Sequence, residues 1–210
     1  MKYIKPVCFV SALLAVFSVS IAIPMASDSA QDKTLANLMA AYNGESNANA
    51  KYLAYAEKAD EEGYAKAASL FRAVAGAEKI HLTNHARVIE GLGGTPKADI
   101  KLPAVKSTKE NLADAVKGES YERSTMYPEF IRQAAKDGNS AAVRTFNYAL
   151  AAETEHAKLY STALTELAEW KAPQTDFYVC PICGYTVKGK PSFAACPVCR
   201  TPATLYKAIN

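Results

Sequence analysis

Between about residue 30 and residue 170 the chain repeats apolar residues at spacings of three and four. Each of the four stripes so formed is broken near its middle by carboxylate. The first runs Leu35, Leu38, Tyr42, Asn49, Tyr52, Ala56, with Glu45 set into it. The second runs Leu70, Phe71, Val74, continues through Glu78 and His81, and resumes at Val88 and Leu92. The third carries Leu112 and Ala115, then Glu119 and Glu122, then Met126 and Phe130. The fourth carries Val143, Phe146 and Leu150, then Glu153 and His156, then Tyr160, Leu164 and Leu167. An amphipathic helix buries its apolar stripe, so all five glutamates and both histidines are carried inside. A bare buried carboxylate is costly unless it is paired or bound to metal, and these stripes offer no Lys or Arg. The fold must therefore bring the middles of four helices to one level, where two iron or manganese ions would supply the missing positive charge.

Local signals place the helix ends. Glu61-Glu62-Gly63 closes the first helix and Gly93-Gly94 the second. Residues 94–107, with Pro96 and Pro103, lack periodicity and read as a crossover. Ser107 with Glu110 three residues on reads as a capping box opening the third helix, which ends near Asp137-Gly138-Asn139. The fourth ends near Trp170. Long amphipathic helices with two short links and one longer crossover predict a mainly α fold, a four-helix bundle over residues 27–171. Glu-x-x-His puts both side chains on one helix face. Alone such a pair is commonly solvated, but here Glu78/His81 and Glu153/His156 are in phase with the apolar stripes. Inward glutamates on the other two helices match them. That is the dinuclear carboxylate pattern, with one carboxylate to spare. His85, one turn past His81, reads as a hydrogen-bonded core or supporting residue, and Glu155, out of phase, as surface. Tyr52 and Tyr127 share helices with the ligands; they can hydrogen-bond a carboxylate or simply pack in the aromatic core.

After Lys171-Ala172-Pro173 the composition changes to Cys, Pro, Gly and aromatics, which marks a second domain over residues 172–210. It reads Cys180-Pro-Ile-Cys183-Gly, then Cys196-Pro-Val-Cys199, and holds four of the chain's five cysteines. Two such knuckles can close four thiolates around one metal, and zinc and iron suit that tetrahedron equally. Two disulfides are the competing reading.

Residues 1–26 have the layout of an export signal: Lys2 and Lys5, an apolar run from Val7 to Ile23, then small residues, with Cys8 at the start of the run. Cleavage fits after Ala22 or Ala26 and predicts an exported, periplasmic protein. The alternative is a segment retained as a membrane anchor. The formal charge of +3, from 24 basic and 21 acidic residues, is too near neutral to argue for nucleic acid.

The combination of Glu45, Glu78-x-x-His81, Glu119-x-x-Glu122, Glu153-x-x-His156 and four closely spaced cysteines resembles the rubrerythrin family. So do Gly44-Glu45-Ser46, Gly118-Glu119-Ser-Tyr121-Glu122, Met126-Tyr-Pro-Glu-Phe130 and Cys180-Pro-Ile-Cys-Gly-Tyr185. The resemblance spans about residues 31–207, and the export segment is the departure from it. It implies a ferritin-like di-iron bundle followed by a rubredoxin-like domain with one iron. Glu78 and Glu153 would bridge the irons, with Glu45, Glu119, Glu122, His81 and His156 as terminal ligands. Glu122 and His81 match the pair between which the family's iron shifts on changing redox state. Tyr52 and Tyr127 match the family's supporting tyrosines. The implied activity is reduction of hydrogen peroxide to water, in protection against oxidative stress, with electrons from an unidentified donor protein relayed through the four-cysteine iron. A tail on a short linker is not expected to approach its own bundle's metals closely. The family's head-to-tail dimer solves this, so at least a homodimer is expected. The rivals are a ferritin-like ferroxidase that stores iron, and a zinc-ribbon interaction protein whose bundle is structural.

Overall fold

The computed structural model describes residues 1–3 and 28–210, with side chains of the first helix from residue 33 onward. The export signal expected over residues 1–26 lies almost wholly outside the described residues. Helix α1 runs Asp28–Glu61 and α2 Ala65–Gly91. Each ends where a glycine takes positive φ, Gly63 at 77° and Gly93 at 80°, so the next amide can fold back onto the last turn. Those return bonds are Tyr64 N–H to Ala59 O at 2.8 Å and Gly94 N–H to Ile89 O at 2.9 Å. Residues 94–107 cross over without regular structure. Helix α3 (Thr108–Tyr121) opens on the capping box of Ser107 and Glu110, both halves of which are present.

The third helix departs from expectation in one respect. A single π-turn, Glu122–Met126, separates α3 from α4 (Tyr127–Lys136). Pro128 supplies a cause, since it has no amide to give the carbonyl of Ser124 and its ring crowds that carbonyl. Helix α5, Ser140–Thr165, is capped by Asn139, whose side chain accepts from the Ala142 amide at 2.9 Å. A 3-10 turn, Leu167–Lys171, follows, and then a three-stranded antiparallel sheet in the order β2-β1-β3, with β1 Phe177–Val179, β2 Thr186–Lys188 and β3 Lys207–Ile209. Among the described residues no helix is long and apolar enough to cross a membrane.

The bundle core is split in two. One cluster holds Tyr52, Tyr55, Phe71, Leu112 and Tyr160; the other holds Leu38, Ile89, Tyr127, Phe146 and Ala149. Between them lies the layer of buried Glu and His. The tail shares the first cluster: Phe177 stacks on Trp170 with ring centroids 6.4 Å apart, and Val179 and Ile209 pack there too. A Cβ on Gly76 would come within 2.8 Å of Ile209 Cδ1, so this glycine admits the last strand onto α2. The sheet is thus seated on the bundle of its own chain, directly above the polar layer.

Candidate metal centres

Each of the four stripes delivers its mid-length carboxylate to one place. Glu45, Glu78, His81 and Glu153 offer ligand atoms within 4.8 Å of one another, and so do Glu78, Glu119, Glu153 and His156. All six residues are buried, and Glu78 and Glu153 belong to both sets. Two overlapping sets that share two carboxylates make room for two metal ions, and the shared pair lies where it would be common to both. His81 Nδ1 lies 2.8 Å from Glu78 Oε2, 2.9 Å from Glu153 Oε1 and 3.7 Å from Glu45 Oε1. His156 Nδ1 lies 2.6 Å from Glu153 Oε2, 3.5 Å from Glu78 Oε1 and 3.6 Å from Glu119 Oε2.

Hydrogen bonding on the far side of each ring fixes what those Nδ1 atoms are. His81 Nε2 is 3.1 Å from the Cys183 carbonyl, which only accepts, so Nε2 carries a hydrogen. His156 Nε2 is 3.1 Å from Thr186 Oγ1. That hydroxyl spends its one hydrogen on Gly184 O at 2.9 Å, so His156 Nε2 donates as well. Both Nδ1 atoms therefore point at carboxylate oxygens, and a bare lone pair at 2.6–2.9 Å from them is repulsive. A cation must lie between: a proton in the metal-free protein, a metal ion in the loaded one. Glu45 Oε2, Glu78 Oε1 and Glu119 Oε2 are buried without any hydrogen-bond donor, and Glu153 Oε1 faces His81 outside hydrogen-bonding geometry. Orphaned oxygens of this kind cost several kcal/mol each unless they bind cations, so the donor set fits a pair of metal ions.

Without metal, the site neutralises itself with protons. Burial opposes the charge of both histidines, but the facing carboxylates, Glu153 foremost, outweigh it and raise both pKa values well above the ordinary one. Burial pushes Glu78 up, but the hydrogen bonds and charges of His156 and His81 prevail and hold it below the usual carboxylate range. Glu153 is lowered by the same two rings. Glu45 is raised strongly by burial and by Glu78 and Glu153; Glu119 is pushed up to about 8 by the same causes.

The tyrosines and the third histidine line the ligand layer. Tyr52 donates to Glu119 Oε1 at 2.5 Å, and Tyr127 donates to Glu45 Oε1. His85 is buried with Nε2 at 3.2 Å from the Tyr127 hydroxyl and Nδ1 at 3.0 Å from Thr145 Oγ1. Burial, with the charge of His81, holds its pKa down to about 3, so it stays neutral. Glu155 is partly exposed and paired with Lys158 at 3.1 Å. Glu122 joins neither ligand set. It sits in the π-turn, only partly buried by surface, with its pKa raised well above normal by desolvation and by Glu45, Glu119, Glu153 and Glu78.

The four tail thiols also converge within 4.8 Å, and all four are free. Cys180 and Cys199 sulfurs are 3.4 Å apart, and those of Cys183 and Cys196 3.6 Å. Disulfide sulfurs lie at about 2.05 Å, which rules that pairing out here. Four sulfurs around one metal at about 2.3 Å would be separated by roughly 3.8 Å. Two matching knuckles make the cage. Gly184, at φ 76°, returns its amide to Cys180 O at 3.0 Å, and Arg200, at φ 66°, returns its amide to Cys196 O at 3.1 Å. Hydrogen bonding from Cys183 holds the Cys180 thiol down to about 5 and raises Cys183 in exchange.

The short linker argues against a close approach of the tail to its own bundle's metals, but the structure brings the two ligand sets together within one chain. Cys183, a thiolate of one cage, hydrogen-bonds through its carbonyl to His81 of the other, within one chain. A Cβ on Gly184 would sit 2.3 Å from His81 Nε2, so the glycine makes that approach possible. Sequence reasoning missed Thr186, Thr145 and this contact. None has a motif, and each partner lies 30 or more residues away along the chain.

Fold and sites together define a ferritin-like dinuclear carboxylate protein with a rubredoxin-like tail. The rubrerythrin family model matches residues 36–164. Nigerythrin of Nitratidesulfovibrio vulgaris is 44% identical over 184 residues, 87% of this chain and 89% of that protein. Rubrerythrin-2 of Clostridium acetobutylicum is 35% identical, covering 81% of this chain and 94% of its own. The fully reduced, all-ferrous structure of nigerythrin superposes with a TM-score of 0.76 at 42% identity, over 83% of this chain and 86% of that one. A Desulfovibrio desulfuricans bacterioferritin shares the fold, with a TM-score of 0.64 at 21% identity over 69% and 91% of the two chains. The chain belongs to the rubrerythrin family. It is a di-iron oxidoreductase with carboxylate and histidine ligands in the bundle and a four-cysteine, rubredoxin-like site in the tail.

Proposed function

We propose that the chain is a peroxidase that reduces hydrogen peroxide to two waters, consuming two electrons and two protons, in defence against oxidative stress. The observation that carries this reading is the hydrogen bond from His81 Nε2 to the Cys183 carbonyl, which joins the two ligand sets. An iron store has no use for such a link, and neither does a zinc-ribbon interaction module. Glu45, Glu78, His81, Glu119, Glu153 and His156 would hold two irons, and Cys180, Cys183, Cys196 and Cys199 a third. Ferrous iron in the bundle would supply paired electrons and Lewis acidity for O–O cleavage.

The chain's own groups do the rest. Tyr52 and Tyr127 fix the terminal carboxylates Glu119 and Glu45. Glu122 stands beside the ligand sets, where burial and four neighbouring carboxylates raise its pKa well above the usual carboxylate range and favour the protonated carboxyl. It is placed to yield that proton and to exchange with His81 as a ligand when the redox state changes. Its position outside both sets, while His81 is inside, is one of the two arrangements such an exchange requires. The route from a donor protein runs through the tail and across the Cys183–His81 bond. Export is part of the proposal, on the strength of Lys2, Lys5 and the apolar run after them, and so is a homo-oligomer, as the family resemblance implies.

Anaerobic purification followed by metal analysis and a visible spectrum tests the reading. Expected are about three irons per chain and a thiolate–iron band that bleaches on reduction and returns with peroxide. Glu122→Ala should keep that band and lose most peroxide turnover, and unchanged turnover would remove Glu122 from the mechanism. Zinc in the tail, with no band, would return the choice to iron oxidation or a structural role.

A further inference from the structure

Each histidine of the dinuclear site is held on its outer edge by the tail, and by two different groups. His81 uses the Cys183 carbonyl, on the path between the sites. His156 uses the Thr186 hydroxyl, which lies off that path. Thr186 is fully buried at the start of β2, and its own hydrogen is committed to Gly184 O. It can therefore only accept from His156, which keeps Nδ1 free to face the carboxylates. Its place is set by the knuckle. Thr186 pairs with Val179 across the sheet, Cys180 N–H bonds Tyr185 O at 3.0 Å, and Gly184 N–H bonds Cys180 O at 3.0 Å.

We propose that Thr186 is a positioning residue for the bundle's dinuclear site, and that metal in the four-cysteine cage strengthens metal binding in the bundle through it. The inference rests on the dinuclear centre and not on the peroxide reading. The cage closes only when a metal holds its four thiolates, because metal binding and local folding are one equilibrium in small sites. An open cage lets residues 180–186 move, and both histidines lose the acceptors that orient them. Partners of this kind are worth roughly 10–100-fold in metal affinity. The coupling is reciprocal, so metal in the bundle also strengthens the cage.

The test uses the full chain with zinc in the cage and Mn2+ titrated into the bundle, since manganese prefers carboxylate and imidazole to thiolate. Free Mn2+ is followed by electron paramagnetic resonance. Thr186→Val, which keeps the shape and loses the acceptor, should bind Mn2+ about 10–100-fold more weakly with zinc content unchanged. Thr186→Ser should restore it. Wild-type protein with its zinc removed should show a loss at least as large, since His81 then loses its acceptor too, which tests the coupling even where the valine variant folds poorly. In protein loaded with zinc at both sites, the His156 Nε2 proton should exchange slowly with water and become fast in Thr186→Val. Wild-type Mn2+ affinity in Thr186→Val with zinc retained would overturn the positioning role, and equal affinity with and without tail zinc would overturn the coupling. Peroxide enters none of these measurements, so they stand or fall apart from the proposed activity.

Discussion

Four buried glutamates at one level divide their labour by what faces them. Glu78 and Glu153 each meet both imidazoles and are held low, whereas Glu45 and Glu119 each face one Nδ1 only at 3.6–3.7 Å, among other carboxylates and a tyrosine, and burial raises their pKa values. The sign of the resulting pH dependence follows. Groups with raised folded pKa, here Glu45, Glu119, His81 and His156, stabilise below their unfolded values and lose that contribution as pH rises through the folded ones. Lowered groups act oppositely and only at lower pH: Glu78 and Glu153 below about 4.5, His85 below about 6.5. Between pH 6.5 and 8 the raised groups alone are titrating in this site. With zinc kept in the tail, the metal-free bundle should therefore melt at lower temperature at pH 8.5 than at pH 6.5, and metal in the bundle should abolish the trend. A flat metal-free profile would contradict the assigned protonation states. Gly184 gives a second residue-scale expectation. Alanine there is strained at φ 76° and places a methyl 2.3 Å from His81 Nε2, so the knuckle must withdraw. Gly184→Ala should keep the four-cysteine spectrum while slowing reoxidation of the tail by peroxide at least tenfold in stopped flow. The ligand residues were legible because a buried charge breaks an apolar stripe; Thr186 was not, because a buried hydroxyl breaks nothing.

The π-turn in the third helix is the one element that periodicity could not supply. Hydrophobic spacing averages over a helix and is insensitive to one widened turn, although Met126-Tyr-Pro-Glu-Phe130 contained its cause in Pro128. The consequence is local. Glu119, before the turn, points into the ligand layer with Tyr52, while Glu122, the turn's first residue, stands off from both sets. The two remain i to i+3 on one helical face, since the Glu122 amide still bonds Gly118 O; the turn widens the helix only beyond Glu122, where the Tyr127 amide reaches back to Glu122 O, and so sets where Tyr127 and its partner Glu45 stand relative to that face. Deleting the exposed Ser124 together with Pro128→Ala, which restores the missing amide, should let α3 run into α4 as a plain helix and keep Tyr127 and Ala134 in the core. The variant should fold and melt no lower than the parent, bind two metals in the bundle, and lose most of its peroxide turnover. Full turnover in a well-folded deletion variant would mean that the turn merely accommodates the proline. Helix ends, by contrast, were readable, since Gly63, Gly93, Ser107 and Asn139 act through their immediate neighbours.

At the scale of the molecule, a bundle and a metal-bearing tail were both legible, but the way they meet was not. Docking depends on surfaces brought together only after each part folds: Gly76 against Ile209, Gly184 against His81, Phe177 stacked on Trp170. The seat is intimate, because the tail contributes Phe177, Val179 and Ile209 to the bundle's own apolar cluster. A homo-oligomer is compatible with this arrangement, and the proposed relay would then run either within each chain or between chains. Mixing two inactive variants decides between the arrangements. One carries Cys199→Ser and so lacks a working tail site; the other carries Glu78→Ala and so lacks a working bundle site. Both are unfolded together, refolded as a mixture and reloaded with iron, so that any subunit exchange is complete. If the relay is internal, as the His81–Cys183 contact has it, no mixed assembly holds a working pair in one chain, and turnover should stay at the level of the variants refolded alone. If tails are exchanged between chains, one in four head-to-tail contacts in a random mixture joins a good tail to a good bundle, and roughly a quarter of wild-type turnover should return.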